Sequence, residues 1–287
     1  AVAIAPRFSL HRFWEEVERE RISWASAVPT IVALLLSTER PATPPSALRF
    51  VRTASAPLPV AHHLAFEQRF GVALVETYGL SEAGSQVAAN PVPPGRRKPG
   101  SVGLPTGVEL RICEPLAEGD ARELHETPAG VIGEICVHGP NVVAGYASGE
   151  DSASFVDGWF RTGDLGFRDV DGYLFITGRL REIINRGGEK VSPREVEEVL
   201  LAHPNVRDVA VVGEPDPLYG QRIVAYVNPR EAWTKAESAE LRAYCAARLS
   251  GFKVPETFYA VEALPRNGNG KLARRQLASA VSRGAVA

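Results

Sequence analysis

The sequence predicts a mixed fold in which an α/β domain with a β-rich lobe is followed by a small α+β domain. Over residues 1–96, helical apolar periodicity alternates with short apolar runs, as in βαβ units. Over 97–180, short alternating strands are separated by Gly and Pro turns. From 181 to 287, the pattern is that of a compact module of about a hundred residues. We therefore expect one domain boundary near residue 181.

The α/β segment is expected to begin with a helix capped by Ser9, because Phe13, Trp14 and Val17 recur at helical spacing. "TIVALLL" is a buried helix or strand, and "LRFVRT" is a short strand before a small-residue loop. Gly71 is expected to end the helix "VAHHLAFEQRF". "VALVETY" then reads as a buried strand that runs into a turn.

The later elements follow from the same kinds of signal. "VELRICEP", "GVIGEICVHGP" and "GYLFITG" are predicted strands of the lobe. In the small domain, Ser192, Pro193 and Glu195 predict a helix start with a capping box. Two strands, "VRDVAVVGEPD" and "QRIVAYVNP", come next, followed by the helix "KAESAELRAYCAARL" and the segment "ETFYAVEALP".

Composition excludes several classes of protein. The net charge is −2 over 287 residues, which argues against non-specific nucleic-acid binding. The three cysteines form no metal-binding or redox CxxC spacing, which favours a reduced, cytoplasmic setting. No apolar run approaches the roughly 20 residues of a membrane span. Methionine is absent and the chain opens on "AVAIAPRFSL", so we expect a piece of a longer protein, the alternative being a small protein that lost its initiator.

The stretch "RNGNGKLARR" places Lys271 between glycines and arginines. It is not a phosphate-binding P-loop, because Gly268 and Gly270 have the wrong spacing and Leu272 replaces the required Ser or Thr. The loop is therefore expected to deliver a single ammonium group rather than to cradle phosphate with its backbone.

Two other stretches carry ligand chemistry. In "VETYGLSEAG", Tyr78 offers a ring at the end of a strand, Ser81 a hydroxyl and Glu82 a carboxylate suited to Mg²⁺. The alternative is an ordinary strand-to-helix turn capped by Ser81. In "GWFRTGDLG", a carboxylate at Asp164 between two turns could accept both hydroxyls of a ribose, and Arg179 could contact the same sugar. The alternatives are a turn-capping aspartate and a solvated surface arginine.

Four stretches in order complete a pattern: "YGLSEAG", "GWFRTGDLG", "GRLREIINRGGEKVSPREVE" and "PRNGNGKLARR". With them the chain resembles the adenylate-forming acyl-CoA synthetases, the superfamily that includes luciferases and nonribosomal-peptide adenylation domains. The resemblance covers essentially the whole chain. It implies that residues 1–180 are the C-terminal part of a large AMP-binding domain, with an α/β segment (1–96) and a β-lobe (97–180). It also implies that 181–287 form a mobile C-terminal domain that carries the catalytic lysine.

The resemblance also implies a role for each matching residue. Tyr78 would stack on adenine, Ser81 would touch the phosphate and Glu82 would hold Mg²⁺. Asp164 would bind the ribose hydroxyls with the help of Arg179. The remaining matches are the adenine- and acyl-pocket loop, the hinge, the glycine beside the pantetheine path and the adenylation lysine, which are Ala54, Ser55, Ala56 and Pro57, then Arg181, Gly188 and Lys271.

"PRFSLHRFW", "WASAVPTI" and "ANPVPPGRRKPGSVGLPTG" resemble the branch of oxalate–CoA and fatty-acid–CoA ligases most closely. Val32 and Ser85 stand where that branch is expected to have histidines, which weakens any inference about the acid. Arg96 and Lys98 are nearby charges that could bind a second carboxylate or only face solvent. The superfamily's phosphate loop has no counterpart in this sequence, so the chain alone is expected to be inactive.

The function implied by the resemblance is ATP-dependent conversion of a carboxylic acid to an acyl-adenylate, followed by transfer to CoA. Its substrates and cofactors would be a small carboxylic acid, ATP (released as AMP), Mg²⁺ and CoA, and its protein partner would be the N-terminal portion of the same enzyme. One alternative is an adenylation enzyme that loads a carrier protein. Another, from a different class, is a nucleotide-binding fragment without catalysis.

Overall fold

The computed structural model describes residues 2–4, 8–39, 47–116, 123–147, 154–267 and 272–277. The chain forms two compact units. The first comprises Ala1–Thr162 and Gly166–Ile176, and the second comprises Gly163–Leu165 and Thr177–Ala287. The boundary expected near residue 181 stays a prediction, because a compact unit need not coincide with a domain that moves. None of the helices in the described residues is both long and apolar enough to span a membrane.

The first unit begins with three parallel strands connected by helices, in the sheet order β1-β2-β3. Two short antiparallel strands, β4 and β5, extend the sheet beside β3. The elements in chain order are α1 (Phe13–Arg19), β1 (Trp24–Ala27), α2 (Pro29–Leu36), β2 (Phe50–Thr53), α3 (Val60–Phe70), β3 (Ala73–Tyr78), β4 (Ala88–Ala89) and β5 (Leu104–Pro105). This arrangement confirms the predicted α/β segment.

Two helix termini in this segment test the sequence signals. Gly71 ends α3 with a left-handed backbone, φ 67°, which confirms its predicted role as a cap. Ser9 does not cap α1, because that helix begins at Phe13 and its N-cap position is Arg12, whose side chain makes no capping bond. "TIVALLL" proves to be α2, and its buried residues Val32 and Leu35 pack in the core beneath the sheet.

A second sheet forms the β-rich lobe, with the order β10-β9-β7-β6 and β8 paired to β9. Its strands are β6 (Glu109–Cys113), β7 (Gly133–His138), β8 (Phe155–Val156), β9 (Trp159–Arg168) and β10 (Leu174–Arg179). The predicted strands of the lobe are therefore confirmed. Asp164 lies inside β9 rather than between two turns, so the expectation of flanking turns, and with it the turn-capping alternative, is wrong.

The second unit contains a sheet in the order β12-β11-β14-β13, and β15 pairs with β14 in parallel. Its elements are β11 (Ile184–Arg186), β12 (Glu189–Val191), α4 (Pro193–Leu201), β13 (Val206–Asp216), β14 (Gly220–Pro229), α5 (Lys235–Ala246) and β15 (Thr257–Ala260). Helices α4 and α5 cover an apolar core that includes Val196, Leu200 and Leu241. The predicted sequence of strands and helices in this unit is confirmed.

The capping box predicted at the start of α4 is wrong, although Pro193 does occupy the first turn. The Ser192 hydroxyl donates a hydrogen bond to the Thr177 carbonyl oxygen at 2.5 Å instead of accepting one from the helix. Glu195 pairs with Lys253 at 2.7 Å. Both side chains that could have formed the box are therefore committed to tertiary contacts.

A complete capping box is found at α5 instead. The Thr234 hydroxyl accepts a hydrogen bond from the Ala236 amide at 3.2 Å, and the Glu237 carboxylate accepts one from the Thr234 amide at 2.6 Å. Each of these bonds satisfies a backbone N–H that has no partner within the helix.

Replacing Thr234 by Ala should therefore lower the free energy of unfolding by about 1 kcal/mol, the usual cost of losing an N-cap side chain. Urea unfolding followed by circular dichroism measures the change. Ser250→Ala is the matched control, since Ser250 precedes a 3₁₀ turn without making a side-chain cap. Equal losses in the two variants would contradict this account of the capping box.

Candidate functional site

The carboxyl ends of β2 and β3 lie side by side, because the two strands are parallel and Thr53 pairs with Glu76. The Thr77 hydroxyl donates a hydrogen bond to the Thr53 carbonyl oxygen at 3.3 Å. As a result, loop 54–57 and the segment that begins at Tyr78 leave the sheet at the same edge. Open α/β sheets bind ligands at this edge.

Loop 54–57 holds a strained residue. Ser55 is exposed and has φ 77°, a conformation that non-glycine residues seldom adopt. Such a conformation costs on the order of 1–3 kcal/mol and persists only where the surrounding structure enforces it. The loop is anchored immediately afterwards by Leu58, which is buried in the core. Strained backbone of this kind is concentrated at ligand-binding sites.

The segment after Tyr78 folds back sharply on itself at Gly79. A Cβ atom at Gly79 would lie 1.4 Å from the Ser85 carbonyl oxygen, so no larger residue fits. The Val87 amide donates to the Tyr78 carbonyl oxygen at 2.9 Å, and the Ser85 amide donates to that of Leu80 at 3.1 Å. These contacts hold Ser81 and Glu82 on a short, closed loop.

Within that loop the three predicted ligand residues differ in exposure. Tyr78 keeps only 9% of its surface exposed and packs with Ala83 and Val87, so stacking of its ring on adenine stays a prediction. Ser81 is exposed at the start of the 3₁₀ turn Ser81–Ala83. The N-cap of that turn is Leu80, so the capping role considered for Ser81 is wrong.

Glu82 is half-buried and is oriented by a residue that sequence reasoning missed. The Tyr146 hydroxyl donates a hydrogen bond to Glu82 Oε1 at 2.9 Å. The Val143 amide donates to the Glu82 carbonyl oxygen, and the Asn141 side chain donates to that of Ala83, both at 2.8 Å. The partners come from a distant part of the chain, so no local pattern could have indicated them.

A lone, oriented carboxylate fits Mg²⁺ that is bound mainly by substrate phosphates and water, which is the usual mode for this ion. No group of three or more His, Cys, Asp or Glu side chains in the described part of the chain could hold a metal ion by itself. Glu82 is therefore suited to an ion that arrives with a phosphate ligand.

In the second unit, Asp164 and Arg179 form an ion pair, with Arg179 Nε 2.7 Å from Asp164 Oδ1. Asp164 is buried, whereas the Arg179 side chain is 43% exposed at the end of β10. The two residues predicted to contact a ribose therefore lie together. Arg179 is thus both paired and partly exposed, and its contact with a ribose stays a prediction.

Three further predicted residues also belong to the second unit. Arg181 is exposed in a 3₁₀ turn, Leu180–Glu182, and its role as a hinge stays a prediction. Gly188 lies in the turn between β11 and β12, where φ is 91° and its amide donates to Asn185 Oδ1 at 3.2 Å. That geometry requires glycine for conformational reasons alone, and its role beside the pantetheine path stays a prediction. Lys271 lies outside the described residues.

Three residues that the sequence analysis considered for recognition of the acid lie in the first unit: Val32, Ser85 and Lys98. Val32 is fully buried in the core, so it offers nothing to a substrate. Ser85 is exposed, with φ 94°. Lys98 forms salt bridges with Asp169 and Asp171, which raise its pKa through hydrogen bonds and charge. The positive charge of Lys98 is therefore already balanced by two carboxylates, so Lys98 is a poor candidate for binding a second carboxylate of the substrate.

Comparison with known proteins identifies the family to which this chain belongs. Residues 1–147 match the profile described as AMP-binding enzyme, and residues 195–271 match the profile described as AMP-binding enzyme C-terminal domain. The chain belongs to the AMP-binding enzyme family. The adenylate-forming resemblance and the mixed α/β fold are thereby confirmed, and relatives named oxalate–CoA ligases agree with the expected branch.

Relatives in the AMP-binding family cover nearly all of this chain. A sulfoacetate–CoA ligase of Cupriavidus necator is 44% identical over 96% of the chain, and an oxalate–CoA ligase of Arabidopsis thaliana is 41% identical over 96%. The o-succinylbenzoate–coenzyme A synthetase (MenE) of Bacillus subtilis, solved with ATP and magnesium ion, matches 95% of the chain at 33% identity with a TM-score of 0.78. In each case the chain spans about half the length of the matched protein: 53%, 53% and 55%, respectively.

The Tyr146 contact generates a prediction for the full-length protein that contains this sequence. Tyr146→Phe should weaken binding of a divalent metal ion at Glu82 about tenfold, because outer residues that orient a metal ligand have effects of this order. Direct titration of the protein–ATP complex with Mn²⁺, followed by its electron paramagnetic resonance signal, should show the same weakening. Tyr244→Phe is the matched control, because it removes a tyrosine hydroxyl from α5 of the second unit. Unchanged metal affinity in Tyr146→Phe would contradict the orienting role.

Proposed function

We propose that the full-length protein containing this sequence is an AMP-forming acid–CoA ligase. A carboxylate oxygen of the acid attacks the α-phosphorus of ATP, the bond to the β-phosphate oxygen breaks, and pyrophosphate leaves. The CoA thiolate then attacks the acyl carbon of the adenylate and displaces AMP. The relatives named as CoA ligases support CoA, rather than a carrier protein, as the acceptor. A cytoplasmic location stays a prediction.

The observation that carries this proposal is the convergence, at the carboxyl edge of one parallel sheet, of strained loop 54–57 with the segment from Tyr78 to Glu82. An aromatic ring, a hydroxyl and an oriented carboxylate at such an edge suit a nucleotide with its metal ion. In this proposal, Ser55, Ala56 and Pro57 line the adenine side. Mg²⁺ held at Glu82 would neutralise charge on the phosphates.

The remaining roles are assigned by the resemblance to the family. Asp164 accepts the ribose hydroxyls, while Arg179 holds the carboxylate in place from one side. Lys271 places its ammonium group between the attacking carboxylate and the α-phosphate, where negative charge accumulates in the transition state. Because Lys271 serves only the first half-reaction, we propose that residues 182–287 then rotate about Arg181. The Gly188 turn would border the pantetheine path in the second half-reaction.

In the full-length protein, Lys271→Ala should reduce adenylation by several orders of magnitude, because it removes a charge that acts mainly in the transition state. Thioester formation from supplied acyl-adenylate and CoA should remain close to wild type. Pyrophosphate release and thioester absorbance measure the two half-reactions. Lys253→Ala is the control, since Lys253 pairs with Glu195 within the same unit. Equal loss of both half-reactions in Lys271→Ala would mean that the lysine is structural.

Asp164→Asn should raise the KM for ATP at least tenfold, because each hydrogen bond to a charged carboxylate contributes about 1.5–3 kcal/mol. Glu134→Gln is the matched control, as Glu134 is a buried carboxylate paired with Arg161 at 2.8 Å and has no proposed ligand. Initial rates across ATP concentrations and melting temperatures are measured for both variants. An unchanged KM together with a lowered melting temperature would reduce Asp164 to a structural partner of Arg179.

A further inference from the structure

The two ends of the loop that contains Lys271 are fixed to one another. Arg266 and Leu272 form an isolated antiparallel bridge, and the Ala273 amide donates to the Pro265 carbonyl oxygen at 2.8 Å. Arg266 also pairs with Asp208 on β13 at 2.6 Å. Residues 266 and 272, which flank the segment that contains Lys271, are therefore held next to each other.

The segment after the loop, 272–277, is held by apolar contacts and by one arginine. Leu277 is 1% exposed and lies in a cluster with Val224, Tyr226 and Leu264, against which Leu272 also packs. Arg274 lies between Leu272 and Leu277 in the sequence. Its guanidinium is turned away from solvent and into the unit, since only 22% of the side chain is exposed.

Arg274 joins three elements that are far apart in the sequence. Its Nη1 is 2.6 Å and its Nη2 3.1 Å from the two carboxylate oxygens of Glu197 on α4. Its Nη1 also donates to the Val211 carbonyl oxygen of β13 at 2.7 Å. Its Nε is 3.2 Å from the carboxylate of Glu182, the residue after the proposed hinge at Arg181. This geometry uses the planar fork of arginine, which lysine cannot reproduce.

Burying the Arg274 guanidinium and its carboxylate partners costs desolvation free energy. Attachment of the chain end does not by itself explain this cost. Burial of the Arg274 guanidinium acts to lower its pKa, but the charge and hydrogen bonds of Glu197 and Glu182 outweigh burial and raise it. Buried ion pairs of this kind are often no more stabilising than apolar residues of similar size. Leu272 and Leu277 already supply the apolar attachment. What the arginine adds is a fixed direction and position.

We propose that Arg274 is a positioning residue for adenylation, which fixes the C-terminal end of the Lys271 loop on Glu197 and on the segment beside the hinge. The inference rests on the proposed function, since it assigns Arg274 to the half-reaction that Lys271 serves. In the proposed function, the ammonium group of Lys271 has to lie within about 0.5 Å of its productive position. A misplacement of about 1 Å can cost about a hundredfold in rate.

The test uses Arg274→Gln in the full-length protein. The kcat of pyrophosphate release should fall at least about tenfold, with the KM for ATP within about twofold, because the transition state rather than ATP binding depends on the loop. Thioester formation from supplied acyl-adenylate should stay within about twofold of wild type. Arg274→Lys keeps the charge without the fork and should lie between wild type and Arg274→Gln.

A double-mutant cycle separates positioning from general stability. If Arg274 acts through Lys271, the variant Lys271→Ala/Arg274→Gln should be no slower in adenylation than Lys271→Ala alone. Arg194→Gln is the matched control, because Arg194 is also a mostly buried arginine paired with a glutamate, Glu198, at 3.0 Å. It should lower stability without separating the two half-reactions.

Three results would overturn the inference while leaving the proposed function intact. They are unchanged adenylation in Arg274→Gln, equal loss of both half-reactions, and full additivity in the double variant. If Arg274→Gln does not fold, Glu182→Gln removes the negative charge that pairs with Arg274 Nε at 3.2 Å and should lower adenylation alone, to a smaller extent. A wild-type protein that releases no pyrophosphate with any acid would instead refute the proposed function, and the inference with it.

Discussion

The parallel pairing of β2 with β3 is the constraint on which the candidate site in the first unit depends. Because Thr53 lies opposite Glu76, β2 ends two residues before β3, and the segments that follow the two parallel strands lie at the same edge of the sheet. The strain at Ser55 and the close approach of the Ser85 carbonyl oxygen to Gly79 both occur within a few residues of that edge. The two regular strands thus position two irregular loops at the carboxyl edge, where a parallel sheet can bind a ligand.

The second unit relies on a different principle, the orientation of charged groups by paired carboxylates and guanidiniums. Asp164 is held by Arg179, and Arg274 is held by Glu197 and Glu182. Such pairs add little net stability once desolvation is counted. Their value lies in directing a polar group to one position, which suits a ligand contact at Asp164 and the anchoring of a loop at Arg274.

Much of the fold could be predicted from the sequence, because its signals are local. The strands of the lobe, the cap at Gly71 and the order of elements in the second unit follow from apolar periodicity and turn chemistry. The capping box assigned to Ser192 failed because the hydroxyl bonds to Thr177, a contact that no local pattern encodes. Asp164 failed as a turn residue for a related reason, since glycines that resemble turn signals lie within β9.

At the candidate site, residue type and motif order indicated Glu82, Asp164 and Arg179, and the structure pairs Asp164 with Arg179, while the ligand roles of all three stay predictions. Its supporting residues were not predictable. Tyr146 meets Glu82 from another part of the chain, and Arg274 meets Glu197 and Glu182 from beyond the Lys271 loop. These contacts arise only when distant segments pack together, so they require coordinates.

The central claim is that this family member activates a carboxylic acid through an adenylate. The most direct measurement is an assay of the full-length protein against a panel of carboxylic acids, with ATP, Mg²⁺ and CoA, in which every nucleotide product is identified. The account predicts that at least one acid yields AMP, pyrophosphate and a CoA thioester in equal amounts. Formation of ADP and phosphate, or thioester formation without AMP, would contradict it.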